Sequence, residues 1–156
     1  MPVLGVFSIC LVAQALAMIV DEFYFHRKRG LPKWERVGHP LDTLTVLSVF
    51  LSFAFVNPEA GGATPIWLWF LIGGSCLFIT KDEWIHHSNC EAPEQWLHAL
   101  QFVLHPLVFF AAWFVWREGQ GHLIFVLQSL ILFLFGLYQT FYWNVIRLNP
   151  MEKSHA

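Results

Sequence analysis

The sequence predicts an all-α integral membrane protein with five transmembrane helices, and three observations carry that prediction. Of its 156 residues, 56% are hydrophobic. Only 13% are charged, about half the ~25% of an ordinary soluble domain. The apolar residues also fall into five runs: Val3 to Val20, Thr43 to Val56, Ile66 to Thr80, Ala99 to Trp116 and Leu123 to Ile146. Five such runs leave too little polar sequence to coat a soluble globule. The same composition excludes a disordered chain, and a formal net charge of −2 gives no reason to expect nucleic acid or another polyanion as a partner. Cys10, Cys76 and Cys90 form no C-x-x-C pair and leave an odd count, which argues against a disulfide scaffold or a thiolate zinc site.

Taken in order, each run has its own signature. Within the first, Ala13-Gln14-Ala15-Leu16-Ala17 faintly resembles a signal-peptidase site, but no basic segment precedes it, so a retained helix is expected. The second run has 14 residues and covers roughly 21 Å of a hydrocarbon core about 30 Å thick. Because the connection after it holds two prolines and Gly61-Gly62, this helix is expected to grow backwards through Asp42 and His39. The third run is similarly short and is expected to grow forwards through Asp82, Glu83 and His86. Ionisable groups are thereby predicted at membrane depth. The fourth and fifth runs are long enough to span unaided. Residues 1–156 form one membrane domain in this reading.

Orientation follows from Lys and Arg. Arg27, Lys28, Arg29, Lys33 and Arg36 follow the first run, Lys81 the third, and Arg147 and Lys153 the fifth, whereas the other connections hold Arg117 alone. By the positive-inside rule the N-terminus lies outside, and the C-terminus and both charged stretches face the cytoplasm of a plasma (inner) membrane.

The two charged stretches resemble each other. Asp21-Glu22 with His26 recurs as Asp82-Glu83 with His87, and Glu35 with His39 recurs as Glu94 with His98. Each half reads as apolar helix, D-E-x-x-x-H, loop, E-x-x-x-H, apolar helix. We therefore expect two parallel helix-hairpin repeats, about 3–56 and 66–116, forming a four-helix bundle, with an additional C-terminal helix over about 122–147 outside it.

Residues four apart share a helix face, so each E-x-x-x-H sets a carboxylate beside an imidazole. Glu22, His26, Glu35, His39, Glu83, His87, Glu94 and His98 are the predicted ligands, with His86, Asp42 and His105 as additional candidates. His87 is preferred to His86 because it is the counterpart of His26. An isolated E-x-x-x-H is a common accident, but four symmetric copies on short membrane helices are not. Four glutamates balance two divalent cations, and no basic residue is expected among them. Asp21 and Asp82 are expected to orient imidazoles or to sit as helix-end charges.

Imidazole and carboxylate without thiolate favour iron, with zinc or manganese as alternatives. The arrangement resembles, in its logic, the di-metal carboxylate bundles and the histidine-rich membrane desaturases, and it carries the sequence signature of neither. The expected function is a di-iron oxidoreductase (oxygenase or oxidase type) acting on a lipid-soluble substrate drawn from the bilayer. A di-zinc membrane hydrolase, or metal transport, storage or sensing, stands as the alternative. Tyr138 and Tyr142, one turn apart near the inner end of the fifth run, are expected either to anchor the helix at the interface or to position substrate and buffer radicals.

Overall fold

Helices and no strand make up the described residues, 2–58, 62–83 and 90–147 of a computed structural model. The helices are α1 (Pro2–Arg29), α2 (Lys33–Phe55), α3 (Ile66–Phe78), α4 (Ala92–Arg117) and α5 (His122–Ile146). Between α1 and α2 the chain reverses within three residues. Gly30 takes a φ of 79°, a conformation that side chains disfavour, and its N–H closes α1 by donating to the His26 carbonyl at 2.8 Å. Pro32, with an extended ψ, then launches α2.

The helix α2 runs unbroken through His39, Pro40 and Asp42, so the short second run does lengthen backwards. Pro40 has no N–H, which leaves the Arg36 carbonyl without its helical donor. Asn144 of α5 supplies one, its Nδ2 donating to that oxygen at 3.1 Å. Ser48 and Ser52 donate to the carbonyls four residues back, so their hydroxyls are satisfied within the helix.

Among the described residues four helices, α1, α2, α4 and α5, are long and apolar enough to cross a membrane, against the five spans expected. With 13 α-helical residues, α3 falls short. A 3-10 turn, Ile79–Asp82, continues it. The two pieces together reach roughly 28 Å. Large apolar side chains point outward on every helix, among them Ile9, Phe55, Phe70, Phe110 and Phe141. Such a surface is consistent with a membrane protein, since a soluble monomer rarely leaves apolar area of this extent in water.

The packing departs from the expected four-helix repeat with an appendage. Here α1 lies along α4, α2 lies along α5, and α3 rests mainly on α2. Small residues draw α5 in: a Cβ on Gly136 would lie 3.4 Å from Thr43 Cγ2, and Thr43 donates to Gln139 Oε1 at 2.7 Å. At one end of the molecule the helices meet through aromatic rings. Phe7 of α1, Phe50 and Phe53 of α2, Phe109 of α4 and Phe125 of α5 stand 5.4 to 6.5 Å apart, centroid to centroid, in successive contacts. Trp116 closes that end by donating to the Val56 carbonyl, and Arg117 by donating to the Gly62 carbonyl. At the other end α1, α3 and α5 finish where α2 and α4 begin, and there the ionisable groups collect.

Candidate metal centre

The last turns of α1 form a π-helix over Asp21–His26. Widening the turn aligns residues five apart as well as four apart, so Asp21, Glu22 and His26 all face inward and are buried. His26 Nε2 lies 3.3 Å from Asp21 Oδ1, and His26 Nδ1 lies 3.6 Å from Glu22 Oε2. From α4, His98 Nε2 stands 3.1 Å from both oxygens of Asp21, and Glu94 Oε1 is 3.9 Å from His26 Nε2. From α2, the ring of His39 stacks on that of His26 at 4.8 Å. One turn further along α2, Asp42 meets Asp82 from the 3-10 turn; His39 Nδ1 is 3.7 Å from Asp42 and 3.9 Å from Asp82.

Three overlapping groups of side chains result, each able to hold a metal ion by the closeness of its donor atoms. Asp21, His26, Glu94 and His98 form the fully buried one; His26, Glu35 and His39 form the second; His39, Asp42 and Asp82 form the third. Within each group one donor atom per residue lies within 4.8 Å of the others. All the donors are nitrogen or oxygen. Cys90 stays outside, and burial pushes its thiol up to about 12, so it is no thiolate at neutral pH.

Basic residues do enter this cluster, contrary to expectation. Arg29 bridges Glu35 and Glu94, with Nη2 at 2.8 Å from Glu35 Oε2 and 3.0 Å from Glu94 Oε1. Lys81 Nζ lies 2.6 and 2.7 Å from the two oxygens of Asp42 and 2.9 Å from Asp82 Oδ2. Arg29 ends α1 and Lys81 lies in the 3-10 turn after α3, so both cations fold back from helix ends onto buried carboxylates. Six carboxylates gather at this end: Asp21, Glu22, Glu35, Asp42, Asp82 and Glu94. Even with the buried Arg36 counted beside Arg29 and Lys81, negative charge exceeds positive while the imidazoles are neutral.

The predicted ligands are not all brought together. His26, Glu35, His39, Glu94 and His98 enter the donor groups, as does Asp42. Glu22 also faces inward, but it enters none of the donor groups, because its oxygens are engaged: Trp143 Nε1 donates to its Oε1 at 2.6 Å, and Gln139 Nε2 donates to its Oε2 at 3.4 Å. Asp21 enters the fully buried group beside it. By contrast Glu83 is exposed and Asp82 is buried, because the tight 3-10 turn rotates the pair. His86 and His87 lie outside the described residues. His105 sits deeper, bonded to Ser75 Oγ at 3.1 Å, and Ser75 in turn bonds Thr45 at 2.9 Å. Tyr138 and Tyr142 stack at 5.2 Å beside the centre, and Tyr142 meets Trp143 edge-on at 4.9 Å. Sequence reasoning underrated Trp143, Gln139, Arg29 and Lys81. For the first two a signal existed, since they lie four apart and level with the carboxylates.

Several buried atoms at the centre lack a hydrogen-bond partner among the described residues: both ring nitrogens of His26, Nε2 of His39 and Oδ1 of Asp82. Buried polar atoms are normally satisfied, so orphaned ones that converge on carboxylates ask for a cation. Beside them opens a cavity of about 90 Å³, with Met18, Val46, Phe102, Leu132 and Phe135 forming an apolar wall opposite the donors. The chain matches no protein-family model, no curated protein and no solved structure.

Proposed function

We propose that this chain is a membrane-embedded metalloenzyme that oxidises a lipid-soluble substrate at a centre built on Asp21, His26, Glu94 and His98. One observation carries the reading: four buried nitrogen and oxygen donors from two helices converge within 4.8 Å, and neither ring nitrogen of His26 has a hydrogen bond among the described residues. Two imidazoles with carboxylates and no thiolate suit iron ahead of zinc or manganese, and two histidines with a carboxylate and open positions are the donor set of non-haem iron oxygenases. A bound iron would supply one-electron redox chemistry and Lewis acidity.

The residues around the donors support that role. Glu22 Oε2 lies 3.6 Å from the second ring nitrogen of His26 and is itself held by Trp143, so it stands ready to orient that imidazole once a metal takes the other nitrogen. Arg29 holds Glu94 in place. The apolar cavity wall favours a substrate whose body prefers lipid, with its reacting atom at the donors. Lys and Arg concentrated at this end favour a cytoplasmic site with the N-terminus outside.

Elemental analysis of detergent-purified protein from metal-replete cells tests the proposal. Wild type should carry stoichiometric iron whose optical or EPR signal changes on reduction and re-exposure to air. Asp21→Ala, His26→Ala and His98→Ala should each lose the metal. Unchanged metal content in all three would sink the site, and redox-silent zinc would turn the reading to hydrolysis.

A further inference from the structure

We infer that Lys81 fills a second metal position with its own ammonium, so that the resting protein binds a single ion. The inference rests on the centre proposed above and concerns its neighbour, the group His39, Asp42 and Asp82. That group has the makings of a site in its own right: one imidazole and two carboxylates within reach of one point, with Asp82 buried and its Oδ1 unpartnered. Lys81 already holds the two carboxylates of that group. Its Nζ touches both oxygens of Asp42 and one of Asp82 at 2.6 to 2.9 Å.

The surroundings are shaped for that ammonium. Gly38 on α2 leaves room for the lysine stem, since a Cβ there would lie 3.1 Å from Lys81 Cε and 3.4 Å from Nζ. The Phe78 ring lies 4.6 Å from Nζ, a cation–π contact. An ammonium and a divalent ion cannot share one pair of carboxylates at these distances, because like charges in a poorly solvated site repel strongly. The fully buried group differs: Arg29 reaches it at Glu94, and among the described residues no hydrogen bond or ion pair brings a Lys or Arg to Asp21 or His26. Of the three overlapping groups, the fully buried one is kept for an ion, the one through Glu35 shares His26 with it and is held by Arg29, and the one at Asp42 and Asp82 is closed by Lys81.

Titration of Mn²⁺ into the detergent-solubilised full chain, followed by EPR, tests this. Wild type should take up about one ion with an uncoupled signal, whereas Lys81→Met should take up about two and show a spin-coupled pair. Lys81→Arg, which keeps the charge, should remain at one. Two ions in wild type, one in a folded Lys81→Met, or two in Lys81→Arg would each overturn the inference. If Lys81→Met fails to fold, Lys81→Gln takes its place with the same expected gain of an ion, and the wild-type and arginine titrations still serve to overturn the inference. A wild type that binds no ion removes the centre itself, an outcome distinct from a wild type that binds one while Lys81→Met gains none.

Discussion

Glu22 shows how much a single side chain's setting matters at this centre. Its carboxylate accepts from Trp143 and Gln139 and faces His26, so its charge is divided between holding the aromatic helix and tuning an imidazole. Trp143→Phe keeps the ring's bulk and deletes the N–H. Loss of an orienting partner of this kind weakens metal affinity by about 10- to 100-fold. A Mn²⁺ titration of the folded variant should show that loss, and an affinity within a factor of about three of wild type would mean that Glu22 does not act through His26. At this scale the sequence was only partly legible. The D-E pairs and their histidines were visible, but the spacing rule for a regular α-helix chose Glu22 and Glu83. A π turn brings Asp21 inward beside Glu22, a 3-10 turn brings Asp82 inward in place of Glu83, and neither turn leaves a mark on residue spacing.

Between elements, the joint of α2 with α5 turns on one missing hydrogen. Pro40 deprives the Arg36 carbonyl of its helical donor, and Asn144 replaces it from the π turn Tyr142–Ile146. Asn144→Ala should therefore cost about 0.5–1.5 kcal/mol, the net worth of one part-buried hydrogen bond. In a Pro40→Ala background the helix regains its own N–H, and the same Asn144→Ala change should then cost much less. Thermal unfolding of the four proteins in one detergent measures the coupling, and additive losses would contradict it. Apolar runs reveal helices but not which helices pair, so the place of α5 along α2 had no sequence signal beyond Gly136 and Gln139. The backward growth of α2 was legible because membrane thickness sets a minimum length, and a proline-rich connection closed the other direction.

The whole molecule is divided lengthwise into an aromatic end that packs and a polar end that holds charge, a division the uneven spread of charged residues along the chain already foretold. If the ends do separate work, damage to one should leave the other's response intact. Phe50 is buried against Phe7, Phe53, Phe109 and Phe125, so Phe50→Ala opens a cavity and should cost about 3–5 kcal/mol. It touches no donor, and the extra stability conferred by metal should survive. That increment is about 2.7 kcal/mol when the free ion stands at a hundred times its dissociation constant. His26→Ala should do the reverse. The metal-free protein loses a ring whose nitrogens make no hydrogen bond among the described residues, and the metal-dependent increment disappears. Melting wild type and both variants with and without Mn²⁺ separates the cases: parallel lowering of both curves for Phe50→Ala, and collapse of the two curves onto one for His26→Ala. If Phe50→Ala also erased the increment, the centre would depend on global packing, and the two ends would be one cooperative unit.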